Sequence, residues 1–171
     1  MHKAFASLLL IFAAVAFTAC GVKISYSATG ASISPAVKTF DVQYFQNRAS
    51  LVQPELSQNI TDALIDMCKA QTNLKMVSAA GDVTFEGEII DYRSQPLTVS
   101  GNEQAAKNRF TITIKVKFTN NIDPELSYEQ SFSRYQDYDG SQNLADVESD
   151  LSEDIVKMLV EDIFNKAFVN W

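Results

Sequence analysis

Histidine and cysteine supply many of the general bases, nucleophiles and zinc ligands of enzymes, and this chain of 171 residues has one histidine and two cysteines. They are His2, Cys20 and Cys68. A Ser-His-Asp triad, a Cys-His pair or a zinc site with a histidine ligand would each need His2. The catalytic potential of the chain therefore depends on whether its first residues belong to the functional protein.

The residues before Cys20 are arranged for a covalent modification of its thiol. A positively charged start precedes the apolar run Leu8–Phe17, and the small residues Thr18 and Ala19 come directly before Cys20. The run is shorter than the roughly 20 residues that cross a bilayer, but it fits the apolar region of a secretory signal. This order is typical of a bacterial lipobox. It predicts a signal peptide over residues 1–19, cleavage between Ala19 and Cys20, and a lipid anchor on Cys20. The alternative is an ordinary signal peptide cut nearby, which leaves the cysteine free.

Processing at Cys20 changes what chemistry the chain can do. It removes His2 and Lys3 but no acidic residue, so 13 basic residues remain against 21 acidic ones, a net charge of −8. Cys68 is then the only other cysteine, and it lies beside the apolar stripe of a predicted helix, as a small buried side chain would. We predict no catalytic residue, no cofactor and no intrachain disulfide. The acidic balance also argues against nucleic acid as a partner.

An acidic turn, Asp137–Ser141, is followed by Glu148 and has some of the oxygen ligands of a calcium loop. A calcium loop needs glycine at its sixth position, where this chain has Gln142. Turn formation and helix capping account for the same residue types. We therefore predict no metal site.

Hydroxyl and cationic side chains gather on the predicted solvent-facing side of the sheet and on a long connection. Such groups can bind an anionic sugar or a phosphate, so five cations are weak candidates for contact with a glycolipid: Arg93, Lys107, Arg109, Lys115 and Lys117. The alternative is an ordinary solvated sheet face. No pair of carboxylates is distinguished by its spacing, so a glycosidase mechanism has no support.

The last predicted helix carries two apolar stripes, where a surface helix needs only one. The second stripe could pack on the first helix or on the sheet edge, as core residues do. Alternatively, its C-terminal half could dock into a partner protein. The partner-binding candidates are Val160, Phe164, Phe168 and Trp171.

A single domain, residues 36–171, would position these groups, and a linker rich in Ser, Ala and Gly, residues 20–35, would connect it to the lipid. Period-two alternation predicts strands over residues 37–45, 83–92, 110–119 and 126–135, with Tyr44 on the apolar side of the first. A short extra strand is expected at residues 74–77, and residues 93–108 read as a long connection. Apolar residues at helical spacing predict helices beginning at Pro54 and over residues 143–169. The order β-α-β-β-β-α predicts an α+β two-layer sandwich, with two helices on one face of a four-stranded, mostly antiparallel sheet.

Beyond these patterns, several longer segments of the sequence are informative. After Cys20-Gly21 come TGASISPAVKTFDVQYFQNRASLVQPELSQ, FEGEIIDY, NRFTITIKVKFTN, FSRYQDY and SQNL, and the chain closes on VEDIFNKAFVNW. Together these segments resemble the LPS-assembly lipoprotein family (LptE-like), in its Bacteroidota branch. The resemblance covers nearly the whole mature chain, and its specificity comes from the number and order of the segments.

The resemblance implies a non-enzymatic lipoprotein, held in the outer membrane by its N-terminal lipid and facing the periplasm. There it would plug an LptD-type β-barrel, assist its assembly, and so help to transport lipopolysaccharide to the outer leaflet. The family fold of two helices against a four-stranded sheet agrees with the pattern above. Basic residues that contact lipopolysaccharide in other branches have no matching motif here, so no such contact is transferred. The alternative function is a stand-alone lipoprotein that binds a lipid or a glycan between its helices and its sheet.

Overall fold

The computed structural model describes residues 33–50, 53–97 and 107–169. The predicted signal peptide, Cys20 and Trp171 lie outside these residues. The elements follow in the order β1 (Thr39–Val42), β2 (Gln46–Asn47), α1 (Leu56–Gln71), β3 (Lys75–Met76), β4 (Val83–Leu97), β5 (Lys107–Asn120), β6 (Tyr128–Asp139) and α2 (Leu144–Phe168). A 3-10 turn, Pro124–Leu126, precedes β6.

All six strands belong to one sheet, in the order β3-β1-β4-β5-β6, and β2 also pairs with β4. Strands β4, β5 and β6 form a long antiparallel meander. Strands β1 and β2 run parallel to β4, and β3 runs parallel to β1. The predicted α+β fold with a mostly antiparallel sheet is confirmed. The short extra strand expected at residues 74–77 is confirmed as β3. The predicted number of four strands is wrong, because β3 joins the sheet and because β2 has only two residues, too few for alternation to be recognised.

Strands β4 and β5 extend further than the sequence pattern predicts. Their ladder continues from Val83 opposite Asn120 to Leu97 opposite Lys107, with one irregularity between Ile89 and Asp91. Residues 93–97 and 107–108 of the expected long connection therefore belong to the strands, and only residues 98–106 join them. A proline within β4 is compatible with this extension, because β1 and β2 pair with β4 only as far as Ile89 and the rest of the strand is an edge on that side.

Helices α1 and α2 cover one face of the sheet. Helix α1 begins two residues after Pro54, and α2 matches its predicted span to within one residue at each end. Strand β5 turns five apolar side chains toward the helices, and all five are buried: Phe110, Ile112, Ile114, Val116 and Phe118. Cys68 of α1 is fully buried with them, and burial raises the pKa of its thiol to about 12. A thiol in such surroundings is unreactive.

Side-chain hydrogen bonds fix the position of β1 beside β4. The Asp82 carboxylate accepts hydrogen bonds from the backbone N–H groups of Lys38 and Thr39, at 2.8 Å and 2.9 Å. The buried Asp41 carboxylate accepts the Gly81 N–H at 2.9 Å and the Thr84 hydroxyl at 2.7 Å. The hydrogen bonds from Lys38 and Thr39 lower the pKa of Asp82. A buried carboxylate is tolerated where polar donors surround it in this way.

The segment that follows β1 is held against β4 by a close aromatic contact. The Phe45 ring is fully buried, and a Cβ atom added to Gly87 would lie 2.3 Å from its Cε1 atom. Only glycine allows the ring to approach the strand so closely. The contact turns the neighbouring Tyr44 outward, where 54% of it is exposed. The predicted inward orientation of Tyr44 is therefore wrong, because the alternation of β1 ends at Val42.

Candidate functional site

The face of the sheet opposite the helices, here called the outer face, carries two rows of charged and polar side chains. In one row, Glu86 of β4 lies opposite Lys117 of β5, which lies opposite Glu129 of β6. In the other row, Glu88 lies opposite Lys115 in the same register. Neighbouring strands are about 4.8 Å apart, so carboxylates and ammonium groups alternate across the sheet at that spacing.

Each lysine in these rows has a carboxylate partner. The Lys117 ammonium donates to Glu86 at 2.8 Å, and Lys115 is ion-paired with Glu129. The hydrogen bond that Lys117 donates to Glu86 raises the pKa of Lys117, and the one that Lys115 donates to Glu129 raises that of Lys115. The same pairing lowers the pKa of Glu129. Both lysines are therefore charged, and both are neutralised within the chain.

A depression of about 490 Å³ lies over these rows. Its floor is the charged part of β4, β5 and β6. The segment after β1 adds Gln43 and Tyr44, and β2 adds Gln46. The Gln43 amide donates to Asp41 at 2.8 Å, and the Gln46 amide accepts from Arg48 at 2.8 Å. The size falls within the range of small-molecule pockets. The depression lies on the outer face, whereas the sequence-based alternative expected a pocket between the helices and the sheet.

A second polar group lies further along the meander, where β5 begins. The Arg109 guanidinium donates two hydrogen bonds to the Asp137 carboxylate, at 2.7 Å and 2.9 Å. Its central carbon lies 3.6 Å from the centroid of the Tyr135 ring. The hydrogen bonds raise the pKa of Arg109 and lower that of Asp137. A planar guanidinium suits both interactions at once.

One of the five cationic candidates, Arg93, thus lies on β4, and the other four lie on β5. Lys115 and Lys117 share the depression, and Arg93 is ion-paired with Asp91 on its own strand. Four of the five cations, Lys107 excepted, form an ion pair with a described carboxylate. The charge of Lys107 contributes to lowering the pKa of Asp137 and Asp139. A phosphate would have to compete with these carboxylates for every paired cation.

The described partner-binding candidates lie inside this chain. Val160, Phe164 and Phe168 are all buried, and α2 packs against both α1 and the sheet. The Phe168 ring lies 5.9 Å from that of Phe85 and 6.0 Å from that of Phe118, centroid to centroid. These three residues are buried because both apolar stripes of α2 pack in the core. This corrects the expectation that they form an exposed docking surface. Trp171 lies outside the described residues.

Sequence reasoning did not single out the acidic and aromatic members of the depression. Glu86, Glu88 and Glu129 read only as the polar half of alternating strands, and Tyr44 was expected to face inward. The cross-strand register that brings them together depends on strand pairing, which a single sequence does not show. A weak signal existed in the alternation of Lys and Glu on facing strands, since opposite charges are favoured there.

Two further properties concern the part of the chain that the structure describes. It holds no group of three or more His, Cys, Asp or Glu placed to bind a metal ion. None of its helices is sufficiently long and apolar to span a membrane.

Solved structures share the fold of this chain. The chain resembles the crystal structure of a minor lipoprotein from Acinetobacter baumannii, with a TM-score of 0.50 and 10% identity, over 76% of this chain and 91% of that one. It also resembles the protein CT253 from Chlamydia trachomatis, with a TM-score of 0.51 and 8% identity, over 79% of this chain and all of that one (100%). At such identities the likeness shows the fold alone. No curated protein was found to match the chain.

The family model of lipopolysaccharide-assembly, LptE, matches residues 37–167. The match extends from just before β1 to the last turn of α2, and so includes every strand of the sheet. The chain therefore belongs to the LptE family of lipopolysaccharide-assembly proteins.

Proposed function

We propose that this protein is a non-enzymatic, periplasm-facing lipoprotein of the outer membrane that plugs an LptD-type β-barrel and assists its assembly. Through that barrel it serves the transport of lipopolysaccharide to the outer leaflet. The observation that carries the proposal is the LptE family match, which extends over residues 37–167 and thus over nearly the whole folded domain.

The surface of the domain supports a place inside a polar enclosure. The lumen of large outer-membrane barrels is lined by polar side chains. The outer face presents Lys115 and Lys117 with their carboxylate partners, and the apolar stripes of α2 are buried. A surface of this kind can exchange hydrogen bonds with a polar wall without burying an unpaired charge. Of the residues suggested for docking, Trp171 stays part of the proposal.

The lipid anchor is proposed at Cys20, after removal of residues 1–19. Strand β1 begins at Thr39, so 18 residues separate it from the anchor. An extended chain of that length spans at most about 60 Å. That reach lets a lipid-anchored domain enter a barrel from the periplasmic side. More than one acyl chain is needed for stable attachment, since a single chain binds a membrane only marginally.

Absence of enzymatic activity is proposed from the sequence. The single histidine is His2, within the proposed signal peptide, and Cys68 is buried with a raised pKa. Neither supplies a nucleophile or a general base to the mature surface.

Affinity purification from the native outer membrane tests the proposal. The full chain, tagged at its C-terminus, is solubilised in mild detergent, and the proteins that remain bound are identified by mass spectrometry. We expect an LptD-type barrel in stoichiometric amount, and an N-terminus that begins at an acylated Cys20. The matched control is Cys20→Ala, which we expect to leave the outer-membrane fraction and to lose the barrel. Recovery of the wild-type chain without any barrel protein would contradict the proposal.

A further inference from the structure

The depression on the outer face is lined by paired positive and negative side chains, a feature that the proposed assembly role does not require. Its described lining has three carboxylates, Glu86, Glu88 and Glu129, and two ammonium groups, Lys115 and Lys117. Both ammonium groups are already paired with carboxylates of the same lining. Glu88 has Arg48 at 3.8 Å as its own partner.

This balance selects against an anionic ligand. A phosphate or a carboxylate entering the depression would have to displace Glu86 or Glu129 from a lysine. It would also meet the third carboxylate, so the local charge would not favour it. Binding of a simple cation is not favoured either, because the carboxylates are already paired with cationic side chains. The ligand that fits is uncharged.

The alternation of acceptors and donors specifies the chemistry of that ligand. Carboxylate oxygens accept hydrogen bonds and ammonium groups donate them, and in the Glu86–Lys117–Glu129 row they follow one another at the strand spacing of about 4.8 Å. A hydroxyl group both donates and accepts, so a ligand with several adjacent hydroxyl groups can bind to such a row without breaking its ion pairs.

The wall of the depression adds an aromatic surface. Tyr44 lines the depression and is 54% exposed, held outward by the Phe45–Gly87 contact on its other side. An exposed aromatic ring offers an apolar face with a polar tip. A sugar ring, which has an apolar C–H face and polar hydroxyl edges, matches both parts of the lining.

We infer that the outer-face depression is a binding site for a neutral saccharide, with Tyr44 as its aromatic platform and the Glu86–Lys117–Glu129 row as its hydrogen-bonding floor. The inference concerns the chain without its barrel and does not rest on the proposed partnership.

The test uses the purified full-length chain in detergent micelles and a neutral trisaccharide, maltotriose, as the probe. Binding is followed by isothermal titration and by NMR of ¹³C-labelled tyrosine rings. We expect weak, saturable binding that shifts the Tyr44 ring signal, and a loss of affinity of about tenfold or more in Tyr44→Ala. Glucose 1-phosphate and phosphoethanolamine are titrated in parallel as an anionic and a zwitterionic probe.

Tyr135→Ala is the matched control, because Tyr135 is an equally exposed tyrosine (50%) of the same sheet face but contacts Arg109 rather than the depression. We expect its affinity for maltotriose to stay within about twofold of the wild type. Thermal unfolding checks that both variants fold. Absence of saturable binding, an equal loss in both variants, or tighter binding of either charged probe would overturn the inference. These results would leave recovery of a barrel partner unaffected, so the two proposals fail separately.

Discussion

Replacing Phe168 by alanine decides whether the second stripe of α2 belongs to the core or to a docking surface. Phe168 is only 5% exposed and its ring lies within 6.0 Å, centroid to centroid, of those of Phe85, Phe118 and Phe164. Removing a buried phenylalanine side chain costs about 3–5 kcal/mol, which lowers the thermal midpoint of a domain of this size by about 6–20 °C. We expect that loss in the isolated chain, with no partner present, measured by circular dichroism during thermal unfolding.

Ile122→Ala is the control, because Ile122 is apolar but 45% exposed. We expect it to change the free energy of unfolding by less than about 0.5 kcal/mol. A Phe168→Ala chain as stable as the wild type, but unable to retain its partner, would refute the reasoning. Phe168 would then be a docking residue rather than a core residue.

Three further predictions concern the sheet and its surroundings. Gly87→Ala should lower the free energy of unfolding by about 1–3 kcal/mol, because the new Cβ overpacks against Phe45; urea titration measures the loss, and Phe45→Leu in the same chain should recover part of it. Cys68 should not react with a water-soluble thiol reagent at pH 8 until the chain unfolds, since its pKa is raised to about 12; rapid modification of the folded chain, located by mass spectrometry, would contradict this. Stability should decrease with acidification, because Asp137 and Glu129 have pKa values below their ordinary 3.8 and 4.5 in the folded chain. The unfolded chain therefore binds more protons, and the stabilisation present at neutral pH is lost as the pH falls below about 4.5. Urea midpoints between pH 7 and pH 3 test the sign, and a midpoint that rises on acidification would be the contrary result.

Strong periodicity accounts for the parts of the fold that the sequence predicted. Strand β5 alternates from Phe110 to Phe118, and α2 repeats apolar residues every four positions, so the main part of β5 and both ends of α2 could be placed. Short elements carry a weaker signal, and the sequence predicts β3 but not β2. Strands β2 and β3 owe their pairing to β4 and β1, and neighbouring strands are known only once the chain is folded.

The extension of β4 past Tyr92 shows a different difficulty. Its residues after Tyr92 include polar groups and Pro96, which individually favour a connection. Pairing with β5 along a continuous ladder outweighs those local preferences, since strand propensity depends on tertiary context. The local pattern therefore predicts a connection at Arg93 and Lys107, although both lie on strands.

The candidate site was predicted only in part for the same reason. Lys115 and Lys117 could be placed on the solvent-facing side from alternation alone. Their neutralisation by Glu129 and Glu86 depends on the register of three strands, and the exposure of Tyr44 depends on the fit of Phe45 against Gly87. Neither is a property of sequence spacing. The resemblance to the LptE family, by contrast, depended on the number and order of sequence segments along the chain, and the family match confirmed it.

The central claim is that this protein serves lipopolysaccharide transport, and depletion of the protein in its native host tests it most directly. The measurement is the amount of lipopolysaccharide accessible at the cell surface, followed while expression of the chain is switched off. We predict that surface lipopolysaccharide falls as the protein is lost, and that the wild-type chain restores it whereas Cys20→Ala does not. An unchanged amount of surface lipopolysaccharide in fully depleted cells would contradict the account.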